Sequence, residues 1–61
     1  MQKGKIMKKG DIVRFTGKST YLETNNEYKV YQVFDEGIRV YTETGFAGIE
    51  YNDCILVQIA E

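Results

Sequence analysis

The side chains of this chain are suited to binding rather than to catalysis. The 61 residues include no His and a single Cys, so the usual general base, a Cys-His or Ser-His-Asp arrangement and a Cys/His zinc site are all excluded within one chain. A disulfide framework is excluded for the same reason. No carboxylates follow the spacing of a calcium-binding EF-hand loop. We therefore predict that the protein is not an enzyme and has neither a metal nor another cofactor.

Aromatic and acidic residues near predicted turns form the first candidate binding site. Rings in such positions suit extended peptides, because a segment that is already extended loses little entropy on binding. Acidic side chains beside the rings would favour a basic partner and increase the rate of association. We predict that a protein partner is bound by three apolar anchors and three acidic selectors, namely Tyr21, Phe46, Tyr51, Glu23, Glu50 and Asp53. The simpler explanation for the rings is that they extend a small core.

Tyr residues flanked by cations form the second candidate site. Tyr31 and Tyr41 fall on the predicted outer faces of neighbouring strands, and stacking rings beside cations are typical of proteins that bind single-stranded nucleic acid. The residues of this alternative are Lys3, Lys5, Lys8, Lys9, Tyr31, Tyr41 and Arg39. The acidic body of the chain would repel phosphate, so we expect such binding to be weak and dependent on salt. A cross-strand pair of rings and a solvated lysine segment are the simpler explanations.

The charge of the chain is unevenly distributed. Residues 1–18 have a net charge of +5 and residues 19–61 a net charge of −6, which gives the total of −1. We predict a flexible basic N-terminal arm at residues 1–8 and a folded domain at residues 9–61. A third possibility is that the arm of one copy docks on the acidic body of another, so we expect a monomer or a weak homo-oligomer.

The chain has the features of a protein that stays in the cytoplasm. Its longest apolar run, residues 54–57, is far shorter than the roughly 20 residues that a membrane-spanning helix needs. The lysine-rich start is not followed by the apolar region of a signal peptide. A lone Cys also fits a reducing compartment. We therefore predict a cytoplasmic location and no membrane partner.

Short strands, rather than helices, account for the hydrophobic pattern. β-branched and aromatic residues are frequent, turn residues recur at short intervals, and no stretch keeps helical spacing for three turns. The predicted strands are residues 11–16, 27–34, 38–42, 46–51 and 55–59. A bulge near Tyr31 and Gln32 would bring Val33 to the inner face, and Gly37 would supply a positive φ at a turn. Residues 52–54 would form one 3-10 turn.

A closed barrel is the expected arrangement of these strands. An open five-stranded sheet of this length would leave two edges that so small a protein cannot cover, whereas closure removes them and encloses one core. The predicted core residues are Val13, Phe15, Tyr28, Val30, Val33, Ile38, Val40, Ile49, Ile55 and Val57. Cys54 is expected to be a small buried hydrophobic residue rather than a reactive thiol.

The order of these features resembles that of SH3-like small barrels over residues 9–59. The shared features are a long loop after the first strand and a short connection between the fourth and fifth strands. Residues 9–17 also resemble the opening strand of KOW-type modules, but the second glycine-centred half of that pattern has no counterpart at residues 27–30. A ribosomal or RNA-polymerase role is therefore not implied. In its small size the chain resembles the SH3-like proteins that phages and prophages encode.

The strand pattern and the resemblance together predict an all-β fold, a five-stranded SH3-like small barrel with a short 3-10 turn before the last strand. The resemblance implies a non-enzymatic protein-interaction module, a phage or prophage accessory protein that binds a basic or extended segment of a host or phage protein. Eukaryotic SH3 domains bind polyproline peptides in an aromatic groove, but this chain lacks their Trp, their tandem Tyr motif and the Pro before the last turn. Nucleic-acid binding stays open as the alternative.

Overall fold

Five antiparallel strands and one 3-10 turn are present in residues 7–60, the part of the chain that this computed structural model describes. The all-β prediction is confirmed, and within the described residues there is no α-helix. The elements are β1 at Ile12–Phe15, β2 at Glu27–Val33, β3 at Gly37–Thr42, β4 at Gly45–Glu50, the 3-10 turn at Tyr51–Asp53 and β5 at Cys54–Gln58. The strands lie in the order β4-β3-β2-β1-β5 in one sheet.

Strand β2 is shared between two halves of the sheet. Its first half pairs with β1, where Tyr28 lies opposite Val13. Its second half pairs with β3, where Val30 lies opposite Val40. The predicted bulge is confirmed, because Tyr31 is an extra residue on β2 between Val30 and Gln32 in the pairing with β3. A bulge bends a strand and increases its twist, so the two halves of the sheet can enclose a common core.

Both halves of the sheet contribute to one hydrophobic core. Six of the predicted core residues are buried, and Tyr28 packs against them while partly exposed. Complete burial of a Val or Ile side chain stabilises a fold by about 1.5–3 kcal/mol, so these few residues account for much of the stability. The buried apolar residues are Met7, Val13, Phe15, Leu22, Val30, Ile38, Val40, Ile49 and Cys54.

The core prediction is wrong for three residues. Ile55, Val57 and Val33 are exposed. Strand β5 begins directly after the 3-10 turn at Cys54, which lies opposite the buried Phe15. A shift of one residue exchanges the two faces of a strand, so Cys54 faces the core and Ile55 faces solvent. Val33 lies opposite the buried Ile38, as the bulge predicts, but at the exposed end of β2.

The expected closure into a barrel is also wrong. Within residues 7–60, β4 and β5 form the two edges of the sheet and do not pair with each other. The bend in β2 already encloses the core, and the strands are only four to seven residues long. Short strands provide little length for the tilt and stagger that barrel closure requires. The described fold is therefore a small, open five-stranded sheet whose two halves share β2.

Gly37 is required for a close contact and not for the positive φ that we predicted. A Cβ atom at this position would overlap the carbonyl oxygen of Ile49 on β4. The positive φ values at described glycines belong to Gly10 and Gly45. The absence of a side chain at Gly37 thus allows the backbones of β3 and β4 to approach each other at the start of β3.

The buried carboxylate of Asp11 joins the two ends of the described chain. Asp11 is 1% exposed. Its carboxylate accepts hydrogen bonds from the backbone N–H of Ala60 at 2.7 Å and of Lys8 at 2.9 Å. Its backbone carbonyl accepts a third hydrogen bond from Val30 N–H at 2.8 Å. A buried carboxylate is tolerated only with such partners, so this residue connects the segment before β1, strand β2 and the segment after β5.

The packed part of the chain begins before the predicted domain boundary. Met7 is buried in the core and Lys8 donates to Asp11. The first six residues of the predicted basic arm, including Lys3 and Lys5, lie outside the described residues. The fold therefore includes at least the last two residues that we assigned to the arm.

We expect Asp11→Ala to lower the free energy of unfolding by about 2–3 kcal/mol, because hydrogen bonds to a buried charged group are lost and their N–H donors are left without an acceptor. Urea unfolding monitored by circular dichroism measures the change. Asp35→Ala, which removes an exposed carboxylate, is the matched control and should change the free energy by less than about 0.5 kcal/mol. A loss at Asp11 no larger than in the control would contradict this role.

The same contacts predict a dependence of stability on acid. Burial raises the pKa of Asp11, but the N–H groups of Ala60 and Lys8 and the charge of Lys8 outweigh burial, so the folded-state pKa lies below 3.8. Because the folded pKa is depressed, the stabilisation is complete above about pH 5 and is lost as the pH falls through the folded pKa. The difference in unfolding free energy between the unsubstituted protein and Asp11→Asn should therefore shrink below about pH 4. Urea titrations between about pH 3 and pH 7 test this, and a constant difference would refute it.

Candidate functional site

Three aromatic rings lie against one another on the outer face of β2, β3 and β4. We call Tyr31, Tyr41 and Phe46 the aromatic platform. The ring centroids of Tyr31 and Phe46 are 4.5 Å apart with the rings stacked, those of Tyr31 and Tyr41 are 5.2 Å apart, and those of Tyr41 and Phe46 are 5.6 Å apart. Phe46 is 54% exposed and Tyr41 41% exposed. The platform is thus a contiguous apolar surface in contact with solvent.

The hairpin register and the β2 bulge bring these rings together. Tyr41 and Phe46 are opposite each other across the β3–β4 hairpin, so their side chains share a face. The next pair along, Val40 and Ala47, faces the core. Tyr31 is the extra residue of the bulge, and its ring contacts both of the others. The alternation of side chains in strands therefore separates the platform from the core.

A lysine is held over the edge of the platform. The Nζ atom of Lys9 lies 5.4 Å from the centroid of the Tyr31 ring, within the range of a cation–π contact. Gly10 N–H donates to the carbonyl of Val30 at 2.9 Å, and Val30 N–H donates to the carbonyl of Asp11 at 2.8 Å. These two hydrogen bonds hold the segment before β1 against β2, one residue away from Tyr31, and so position Lys9.

A second cation lies on the same face but contacts a different ring. Arg39 is two residues before Tyr41 on β3, and its guanidinium carbon lies 5.3 Å from the ring centroid of Phe34. The residue opposite Arg39 is Gly48, so no side chain of β4 covers it. A shallow groove of about 270 Å³ runs over this position, and Phe34 and Glu50 also line it.

A cleft with a basic rim adjoins the platform. Its volume is about 580 Å³, and Lys9, whose ammonium group lies over the Tyr31 ring of the platform, also lines this cleft. Lys29 on β2 is opposite Ile12 on β1, so both side chains are on the same face. We call this surface the basic cleft, and its lining residues are Lys9, Gly10, Ile12, Lys29, Gln58, Ile59 and Ala60. Of the residues that the structure describes, two lysines and no carboxylate line this cleft.

A separate cleft with acidic and tyrosine side chains lies beside the β1–β2 loop. Its volume is about 280 Å³. Leu22 is buried and anchors the loop, while Tyr21 is 81% exposed. Glu23 N–H donates to the Tyr28 hydroxyl at 2.9 Å. We call this surface the acidic cleft, and its lining residues are Tyr21, Glu23, Asn26, Tyr28, Thr42, Glu43 and Thr44.

Tyr51 and Asp53 are engaged in contacts within the fold. The Tyr51 hydroxyl donates to the carbonyl of Phe34 at 2.5 Å. Burial raises the pKa of Tyr51, and the nearby charges of Asp35 and Cys54 raise it further. The backbone carbonyl of Asp53 accepts from Thr16 N–H at 2.7 Å. Cys54, as predicted, is buried.

The six residues predicted to bind a protein partner are divided among several places. Phe46 belongs to the aromatic platform, Tyr21 and Glu23 line the acidic cleft, and Glu50 lines the groove beside Phe34. The predicted nucleic-acid set is more closely grouped, because Lys9, Tyr31 and Tyr41 are in one cluster and Arg39 is on the same face. Lys8 is exposed, with its backbone N–H bonded to Asp11.

Two contributors to the candidate site were missed in the sequence. Phe46 belongs to the predicted protein-binding set, although a two-residue turn at residues 43–44 places it opposite Tyr41, and this register groups the two rings on one face. Lys29 is not among the site residues that the sequence predicts. Its position on the same face as Tyr31 follows from the alternation of β2, whereas its place in a cleft with Lys9 depends on the fold.

Within residues 7–60, no helix is long and apolar enough to cross a membrane, and no group of three or more His, Cys, Asp or Glu side chains is placed to hold a metal ion. Comparison with known proteins gives no match: no family model, no curated protein and no solved structure is significantly similar to this chain. The resemblance to SH3-like, KOW-type and phage-encoded proteins therefore stays a prediction.

Proposed function

We propose that this protein is a non-enzymatic module that binds single-stranded nucleic acid through the aromatic platform. The observation that carries the proposal is the grouping of three rings with centroids 4.5–5.6 Å apart, of which Tyr41 and Phe46 are exposed and Tyr31 lies beneath the ammonium group of Lys9. Every base has a π face that can stack on a ring, so such a surface binds with little sequence preference. Cations at its edge attract the phosphate backbone.

The exposure of the rings supports a binding role beyond stabilisation of the hairpin. Cross-strand aromatic pairs do stabilise sheets, and Tyr41 and Phe46 form such a pair. A single exposed apolar side chain on a small protein needs no explanation. Three contacting rings, two of them more than 40% exposed, form a patch, and contiguous apolar patches mark interaction surfaces.

The local charge around the platform is more favourable to phosphate than the total charge of −1 suggests. Lys9 and Lys29 line the adjoining cleft, and Arg39 is on the same face of β3 as Tyr41. Glu23 and Glu43 line the acidic cleft instead. Exposed charges are screened over about 8–10 Å at physiological salt. Lys9, whose ammonium group lies 5.4 Å from the centroid of the Tyr31 ring, would therefore act directly on a strand bound at the platform.

A second candidate function is the binding of a basic protein segment in the acidic cleft. This cleft brings Glu23 and Glu43 together with the rings of Tyr21 and Tyr28. Carboxylates and aromatic faces both attract Lys and Arg side chains. The protein partner that we predicted from the sequence would bind here, through two of the six residues that we named. An accessory role in a phage or prophage stays part of this candidate.

We expect Tyr41→Ala and Phe46→Ala each to weaken binding of an oligodeoxythymidine strand by about 5- to 150-fold, because loss of one base–ring stack costs about 1–3 kcal/mol. Fluorescence anisotropy with a labelled strand at low salt measures the dissociation constant. Tyr21→Ala is the matched control, since this ring is 81% exposed and lies outside the platform. An equal loss in the control, or no loss in either platform variant while both remain folded, would contradict the proposal.

For the second candidate, we expect Glu23→Gln and Glu43→Gln each to weaken binding of a lysine-rich peptide by about 2- to 5-fold, the range of one exposed ion pair. Isothermal titration calorimetry measures the affinity. Glu36→Gln removes the same charge at an exposed position outside the acidic cleft. Similar losses in all three variants would show a general charge effect and would reject a specific site in this cleft.

A further inference from the structure

We infer that the basic cleft binds the phosphate backbone of the strand whose bases stack on the aromatic platform, with Lys29 as a direct phosphate contact. The inference rests on the proposed function and extends it from a stacking surface to a path for the backbone. Lys9 carries the argument, because its ammonium group lies over Tyr31 and its side chain also lines the cleft. The two surfaces are therefore continuous.

The chemistry of the cleft fits a phosphodiester and its sugar. Lys9 and Lys29 supply positive charge at the rim, and Ile12 and Ile59 supply apolar surface. Among residues 7–60, none of the residues that line the cleft carries a negative charge. The nearby Asp11 carboxylate is 1% exposed and accepts hydrogen bonds from the backbone N–H groups of Ala60 and Lys8, so it is not presented at the surface of the cleft.

The geometry of β2 places the phosphate site close to the stacking site. Lys29 and Tyr31 are two residues apart on one face of β2, with Val30 between them facing the core. At a rise of about 3.3 Å per residue, their Cα atoms are separated by roughly 6–7 Å. A base stacked on the exposed Phe46 ring, whose centroid lies 4.5 Å from that of Tyr31, would thus have the backbone of its strand near the Lys29 side chain.

The other partners considered fit this cleft less well. A lysine-rich peptide would be repelled by Lys9 and Lys29. An acidic protein segment would be attracted by both lysines but would gain nothing from the adjoining rings as stacking surfaces. Single-stranded nucleic acid uses both features, because it carries a phosphate beside each base. We therefore commit to a single-stranded nucleic acid, either DNA or RNA.

The dependence of affinity on salt tests the contact. Each phosphate neutralised in a single-stranded complex contributes about 0.7 to the negative slope of log K against log salt. For the full chain with oligodeoxythymidine and, separately, oligouridine, we expect Lys29→Gln to reduce the magnitude of this slope by about 0.7. Lys18→Gln is the matched control, because it removes the same charge from an exposed loop position outside the cleft, and its slope should be unchanged.

The outcomes separate this inference from the proposed function. A slope of smaller magnitude in Lys29→Gln, with no change in Lys18→Gln, supports the phosphate contact. Whether this result is obtained with oligodeoxythymidine, with oligouridine or with both identifies the ligand as DNA, RNA or either. Tyr41→Ala should lower affinity without changing the slope. The inference is overturned if the unsubstituted protein binds a strand but Lys29→Gln keeps the slope of the unsubstituted protein. It is also overturned if Lys29→Gln and Lys18→Gln reduce the magnitude of the slope equally. In both cases the stacking proposal stands. If the unsubstituted protein binds neither strand at low salt, both are overturned.

Discussion

The buried carboxylate of Asp11 is the contact on which the arrangement of the whole sheet depends. It accepts hydrogen bonds from the backbone N–H of Lys8, before β1, and from that of Ala60, after β5. A domain of this size buries only about 60% of the surface of its unfolded chain, and the described residues include no disulfide or metal site. Charge-assisted hydrogen bonds inside the protein are stronger than neutral ones, so one carboxylate can fix segments that a small core would hold only weakly.

The same region determines where the candidate site forms. The backbone of Gly10 and Asp11 is hydrogen-bonded to Val30, the last residue of β2 before the bulge. This pairing brings Lys9 over Tyr31, and the bulge brings Tyr31 to the rings of β3 and β4. The hydrogen bonds that hold Val30 of β2 against the segment before β1 therefore also place Lys9 over the Tyr31 ring. The stability of the fold and the geometry of the candidate site therefore depend on the same few backbone hydrogen bonds.

Local patterns in the sequence were sufficient to locate the strands and turns, but they did not determine whether the sheet closes into a barrel. Alternation and turn residues located five strands, the bulge and the 3-10 turn, because each depends on neighbouring residues. The side chains of β5 that face the core were predicted wrongly, because their identity depends on where the strand begins after the 3-10 turn, with Cys54 opposite Phe15. Asp11 was missed because its partner Ala60 is 49 residues away. The grouping of Phe46 with Tyr41 could have been found from the hairpin register, whereas the basic cleft required the three-dimensional fold.

The segments before β1 and after β5 lie close together, and this has a consequence for how the fold can be combined with other chains. A Cβ atom at Gly10 would lie 3.0 Å from the Cβ atom of Ala60, so the polypeptide enters and leaves the sheet side by side. Domains whose entry and exit points are adjacent tolerate insertion and circular permutation. This fold could be nested within a surface turn of a larger host polypeptide without forcing the two flanking stretches apart, and its rings would still face outward.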